Sequence, residues 1–288
     1  MRDQIVEANN LLNCFKPRLN PPNPLSSHFN ATLLEEHNAC TQLRGPSSPP
    51  SAFPSLNTEV CEADIESVKA YLTLHPHSNT CGVNDIPYFA ILEIDNTDLC
   101  RLYHECFQTG KVPTPWLITL LSALPKCGKD LSDPNNYRAI ALKSCFLKFS
   151  TLIVLHKLTM AAEEGNLIPP SQNGFCTGHR THNNAFVLRS LLECAHDQNE
   201  ILYVAFVDIS NAFPSTNHNT LWNWLNDLGL TSMYYDWLQN VYCDMRYRLV
   251  QGDCVSDKGL EFSWETLLLH FYGTCTLLLF TSLPIVMT

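Results

Sequence analysis

Asp208 closes an unbroken run of apolar and aromatic residues, Ile201 to Val207. A short run of this kind, rich in β-branched and aromatic types and without helical spacing, predicts a buried strand over 201–208. An acid at the carboxyl end of such a strand stands at the rim of the sheet, where ligands collect in open α/β folds. A carboxylate there could hold a divalent cation. Mg²⁺ in particular is held by one or two carboxylates together with substrate phosphates. The plainer reading is that Asp208 caps the turn that follows, a common use of Asp. A second group, Cys176, His179 and His182, has the residue types of half a zinc site, but no partner pair follows at zinc-finger spacing.

Several elements must position these groups. Ile65, Val68, Tyr71 and Leu72 share one face of a helix expected over Ala63–Leu74. Further helices are expected at Tyr88–Ile94 and Leu99–Gln108, with Gly110 where the second would stop. Trp116–Leu124 and Tyr137–Leu142 read as two strands of a hairpin, joined by a polar, turn-rich stretch. Cys145–Glu163 and Asn183–His196 read as helices flanking the break at Ile168-Pro169-Pro170. After the Asp208 strand, Ser215 or Thr216 can cap a helix that Gly229 ends, and Met233–Tyr242 is another. Tyr247–Val250 and Leu260–Ser263 are candidate paired strands.

The chain has 288 residues, an apolar fraction of 45% and a formal net charge of -10. The apolar content suffices for a core. The net charge taken alone argues against a nucleic-acid binder, but its distribution is uneven. Acids dominate from Glu59 to Asp98, where Lys69 is the lone base, and bases dominate from Arg101 to Arg189. A basic middle is compatible with phosphate contact and equally with an ordinary solvated surface. The 13 cysteines are scattered and form no CxxC. With no secretory signal at the start, they read as free thiols in a reducing, intracellular compartment, nucleus or cytoplasm. Residues 1–58 are rich in Pro, Ser and Asn and are expected to be a largely unstructured arm, with short helices at most over 3–15 and 31–40.

Four segments, in order, resemble the reverse transcriptase domain of non-LTR (LINE-like) retrotransposons, closest to fungal ones. They are VPTPW with LPKCGKDLSDPNNYRAIAL (Val112 to Leu142), SQNGFCTGHRTHNNAFVL (Ser171 to Leu188), FVDISNAFPSTNHNTLW (Phe206 to Trp222) and, more weakly, YRLVQGD. The leader GVNDIPYFAIL, Gly82 to Leu92, resembles the entry segment of the same family, so the likeness runs from about Ala63 to about Phe262. The resemblance implies an RNA template, a DNA primer and deoxynucleoside triphosphates as partners, and two-metal nucleotidyl transfer with Mg²⁺. Asp208 takes the place of the family's first metal-binding aspartate, and the Ile209 carbonyl that of a further oxygen ligand. Phe213 matches an aromatic gate that excludes a 2′-hydroxyl. Lys126 and Arg138 fall on the fingers hairpin, where cations reach the triphosphate. Gln172, Asn173 and Gly174 match the segment that lines the template path. For each of these residues an ordinary structural role competes with the functional one.

The resemblance also breaks. The family carries two adjacent aspartates on a tight hairpin, and this sequence contains no Asp-Asp pair. It also lacks the family's Gly-Asp and Ser-Pro segment; Gln251-Gly252-Asp253 stands too early and no Ser-Pro follows. From Glu265 the text turns apolar, which fits either a membrane span or non-family sequence after a lost frame; the second is preferred and a membrane partner is not expected. The expected architecture is α+β, a partial right-hand polymerase fold: fingers and an incomplete palm with a small antiparallel sheet. The expected divisions are the arm 1–58, a C-terminally truncated reverse transcriptase domain 59–263, and an apolar tail 264–288. The expected function is a reverse-transcriptase-derived protein that is catalytically incomplete. The alternatives are a non-catalytic nucleic-acid-binding remnant, the product of a decayed element, and an unrelated phosphatase of haloacid-dehalogenase type. The last would need an acid where Ser210 stands.

Overall fold

The computed structural model describes residues 50–74, 81–169, 172–174, 178–206, 218–251, 254–255 and 260–261, with isolated positions between 10 and 39. A short turn of helix, α1 (Pro54–Asn57), leads into α2 (Glu62–Leu74). Ile65, Val68 and Leu72 bury the inner face of α2, while Tyr71, expected beside them, is 41% exposed. After α3 (Tyr88–Leu92), α4 (Asn96–Thr109) starts where Asp95 accepts the Thr97 N–H at 2.9 Å and stops at Gly110, whose φ of 65° suits glycine. Leu99, Tyr103, Cys106 and Phe107 line its buried side.

The core forms around α5 (Cys145–Glu164), whose apolar residues run almost all the way round it. Phe149 stacks on Tyr103 at 5.3 Å and Phe146 on Trp116 at 5.0 Å. Among the described residues this is the one helix long and apolar enough to cross a membrane, and most of it is buried against the rest of the fold. The Lys157 side chain of α5 reaches into this core. Lys157 Nζ lies 3.1 Å from Asp64 Oδ2 of α2 and donates to Thr58 Oγ1, also at 3.1 Å, with the Tyr234 ring 5.5 Å away. The pair is nearly buried on both sides, so the hydroxyl and the ring replace lost water.

The segment before Val60 contributes more than expected. Leu56 is fully buried, Leu11 joins the same core, and Ala52 donates its N–H to the Gly229 carbonyl at 3.3 Å. Most of the expected arm before residue 50, and the tail 264–288, lie outside the described residues.

Two more helices, α6 (Thr181–Asp197) and α7 (His218–Asp227), precede α8 (Met233–Asp244). Helix α8 packs Tyr234 and Trp237 edge-on against Phe107 of α4, at 4.9 and 5.1 Å. No residue of α6 is buried.

The sheet departs from expectation in two ways. Strands β1 (Ile118–Pro125) and β2 (Tyr137–Leu142) form the expected antiparallel hairpin, and β3 (Arg246–Gln251) pairs antiparallel with β4 (Cys254–Val255) and β5 (Leu260–Glu261). However, β1 and β3 run parallel, so the sheet is mixed and not purely antiparallel. Parallel neighbours need a long crossover, and here the whole stretch of helices from α5 to α8 supplies it. Second, the strand expected at 201–208 does not form over 201–206, which carry no strand and are exposed, Tyr203 by 89% and Phe206 by 85%. A strand apolar on both sides needs pairing partners and a layer on each face. The described strands provide neither for this run. Val207 and Asp208 lie outside the described residues.

Candidate nucleic-acid interface

The hairpin owes its shape to a polar loop between β1 and β2. Lys126 donates its backbone N–H to the Asn136 carbonyl at 2.8 Å, extending the ladder by one rung. Asp133 accepts the Asn135 N–H at 2.9 Å, Asn136 Nδ2 donates to the Asp130 carbonyl at 2.8 Å, and the Tyr137 hydroxyl donates to the Leu131 carbonyl at 3.1 Å. The Ser132 hydroxyl and N–H both bond Asp130 and hold its carboxyl below the ordinary range. The loop is thus built from local side-chain-to-backbone bonds that compete with regular structure.

Alternation along the strands sorts their residues onto two faces. Thr119, Leu121, Tyr247 and Leu249 are buried toward the helices. The opposite face carries Ile118, Leu120, Ser122 and Leu124 on β1, Arg138, Ile140 and Leu142 on β2, and Arg246, Arg248 and Val250 on β3. Arg138 sits opposite Leu124 and is exposed. Lys126 continues the same face beyond Pro125, and its ammonium donates to the Asn135 carbonyl at 3.0 Å. Lys126 and Arg138 therefore stand together at the loop end of the hairpin. Arg246 and Arg248, also exposed, are added from the far side of β1 by the parallel pairing. These two were not singled out from the sequence. The signal was there: Arg246-Tyr247-Arg248-Leu249 alternates charged and apolar residues, the pattern of a half-buried strand with its charges outward.

The expected template segment folds back on itself. Gln172 is 6% exposed; its amide Nε2 donates to the Gly174 carbonyl at 2.6 Å and its N–H to the Pro169 carbonyl at 2.9 Å. Asn173 is tied to the start of α6. Its Oδ1 lies 3.0 Å from His179 Nδ1 and accepts from Asn183 Nδ2 at 3.4 Å, while its amide donates to Asn184. Gly174 is exposed. The structure groups Gln172, Asn173 and Gly174 with one another and with α6. Asp208, Ile209 and Phe213 lie outside the described residues, as does Cys176 of the Cys-His-His group. Among the described residues no three His, Cys, Asp or Glu side chains converge on a point that could hold a cation. The donor set for Mg²⁺ is therefore not on view, and no step is derived through the metal.

Residues 124–266 match the family model described as reverse transcriptase (RNA-dependent DNA polymerase). Residues 124–266 belong to the reverse transcriptase family. The matched stretch begins at the end of β1 and takes in the hairpin loop, β2, the helices α5 to α8 and the strands β3 to β5. It is of the non-LTR type. The chain is 29% identical over 121 residues to a Pol polyprotein of a type-1 R2 retrotransposable element of Popillia japonica, covering 42% of this chain and 16% of that protein. It is 26% identical over 171 residues to a probable RNA-directed DNA polymerase from transposon BS of Drosophila melanogaster, covering 59% of this chain and 18% of that protein. A 149 kDa protein of transposon TX1 of Xenopus laevis is 26% identical over 181 residues, covering 62% of this chain and 14% of that protein. The chain thus spans under a fifth of the length of these relatives. Within the reverse transcriptase segment lie every site residue expected from sequence and the two arginines that the β1–β3 pairing adds.

Proposed function

We propose that this chain is a reverse-transcriptase-derived protein that engages nucleic acid but does not by itself complete nucleotidyl transfer. The family match over 124–266 carries the first half of this reading. The want of any Asp-Asp pair in the sequence carries the second. Reverse transcriptases work with divalent metals, and two-metal transfer needs several carboxylates on rigid elements to hold both cations against the phosphates. Asp208, with the Ile209 carbonyl, would supply one arm of such a site and nothing in the sequence supplies the paired acids. In the same reading Lys126 and Arg138 meet the triphosphate of a deoxynucleotide, Phe213 selects against a 2′-hydroxyl, and Gln172 to Gly174 shape the loop beside an RNA template paired to a DNA primer. A fungal affinity of the motifs and an intracellular place of action, nucleus or cytoplasm, belong to this proposal too.

The alternative, a nucleic-acid-binding remnant without chemistry, is favoured by the exposed basic side chains on one sheet face. A primer-extension assay on an RNA template, with either Mg²⁺ or Mn²⁺, separates the two from an active polymerase. No incorporation above a no-protein control is expected. Incorporation that vanishes in Asp208→Ala would show that the acids present suffice and would overturn the incompleteness.

A further inference from the structure

The open face of the β2-β1-β3 sheet has the chemistry of a binding surface, and nothing among the described strands explains that chemistry structurally. A sheet in a globular fold ordinarily covers its apolar side and leaves the other side polar. Here the outward side is apolar at its centre, with Leu120, Leu142 and Val250 partly covered and Ile140 and Leu124 exposed by 40% and 49%. Its charged residues on the described strands β1, β2 and β3 are all arginines: Arg138 on one outer strand, Arg246 and Arg248 on the other. Among the described residues neither Arg138 nor Arg248 forms an ion pair. This contrasts with Arg101, which bonds Asp98 at 3.5 Å, and Arg189, which bonds Glu193 at 2.8 Å. Among the described residues, the one acid that register places beside this group is Glu261, opposite Arg246.

The strand geometry sets the spacing. Arg138 stands opposite Leu124 and Arg248 opposite Leu120, so they are offset by four residues along β1 and lie on either side of it. At about 3.3 Å per residue and about 4.8 Å per strand, the two Cα positions are roughly 16 Å apart on one face. Two guanidinium groups at that separation, with an aliphatic floor between them, suit a polyanion whose charges repeat along a line. Arginine is also the cation best shaped to grip a phosphate by two parallel bonds.

We propose that this face binds the backbone of a single-stranded nucleic acid, with Arg248 as a phosphate contact on β3 and the strand running across β1 toward Arg138. The proposal rests on the nucleic-acid reading above and extends it to a surface and a residue that the motifs do not single out. The face offers no aromatic ring from β1, β2 or β3, so base stacking contributes little there. Binding is carried by phosphate charge and is therefore steeply salt-dependent and tolerant of sequence.

The test uses the full chain and fluorescence anisotropy with a labelled single-stranded RNA and its DNA equivalent, each about a dozen nucleotides long. Salt is titrated for the parent protein, Arg248→Gln and Arg101→Gln. Arg248→Gln is expected to weaken binding by about fivefold, the size of one exposed charge contact. It should also lower the slope of log K against log salt by about 0.7, the contribution of one phosphate on a single strand. Arg101→Gln, on the outside of α4, should change neither. Comparison of RNA with DNA tells whether the sugar is read. If the parent binds and Arg248→Gln matches it, or if Arg101→Gln loses as much, the assignment of this face is wrong while nucleic-acid binding stands. If polyglutamate of equal charge competes as well as RNA, the face takes acidic chains in general and the proposal fails. If the parent binds neither strand, the nucleic-acid reading falls and this proposal with it.

Discussion

At the scale of single residues, His218 shows how position decides protonation. It opens α7 with its ring edge-on to Tyr242 at 5.3 Å and tilted against Trp222 at 6.2 Å. Burial pushes its pKa down to about 3. The folded protein thus keeps the imidazole neutral at pH values where the unfolded chain, at about 6.5, already takes up a proton. The sign follows. Folding is favoured in full above about pH 6.5 and loses about 1.4 kcal/mol per pH unit as the pH falls toward 3. Asp95 and Asp130 also have lowered pKa values, from hydrogen bonds with Thr97 and with Ser132, so their contribution is lost below about pH 4, in a lower window. His218→Phe should therefore flatten the fall of the urea midpoint between about pH 6.5 and 4 while leaving the fall below it. A parent-like slope in the variant would mean that another group sets the acid response. Nothing in the sequence singles out this histidine, because the Tyr242 ring that packs on it comes from α8, which lies beyond it in the chain.

At the scale of elements, what the sequence revealed depended on how local the signal was. Helices α2, α4, α5 and α8 fall within a few residues of expectation, because apolar spacing, and for α4 the glycine at its end, are local signals. The β1–β2 hairpin was legible for the same reason. The parallel β1–β3 pair was not, since its partners are separated by most of the matched segment and no local pattern names the neighbour of a strand. The run 201–206 misled for the converse reason: its composition suits a strand, but pairing is a property of the sheet. The entry segment gives this scale its test. A Cβ on Gly82 would stand 2.5 Å from the Ser144 nitrogen and 2.6 Å from the Lys143 carbonyl carbon, at the start of α5, where Asn84 also donates to the Ser144 hydroxyl at 3.1 Å. Backbone cannot step aside as a flexible side chain can. Gly82→Ala should cost about 1–3 kcal/mol through overpacking. Gly128→Ala, at a φ of 71° with open space around it, should cost about 1 kcal/mol from left-handed backbone alone. Denaturant unfolding of both variants checks the order, and equal losses would mean that the entry segment is not seated on α5.

At the scale of the whole molecule, one core gathers side chains from Leu11 to Leu249 around α5, and the candidate interface is the outward face of the sheet that closes this core. The remaining apolar surface sits elsewhere. Phe186, Val187, Leu191 and Leu192 are exposed on α6, and Ile201, Tyr203, Val204 and Phe206 follow directly after it. Contiguous apolar exposure on this scale is unusual for a monomer and promotes association. The native chain should therefore bind the dye ANS and scatter light at moderate concentration, without the loss of near-UV signal that marks a molten globule. Tyr203→Lys with Phe206→Lys removes two of the most exposed rings, 89% and 85% accessible, and tempers the net charge of -10. Because neither ring packs into the core, dye binding should drop while the urea midpoint moves by less than about 0.5 kcal/mol equivalent. A loss of about 3 kcal/mol or more, the size of an aromatic removed from a core, would show that the run is buried in solution. The expected strand before Asp208 would then exist after all, and the sheet would reach the carboxylate that its motif places at the rim.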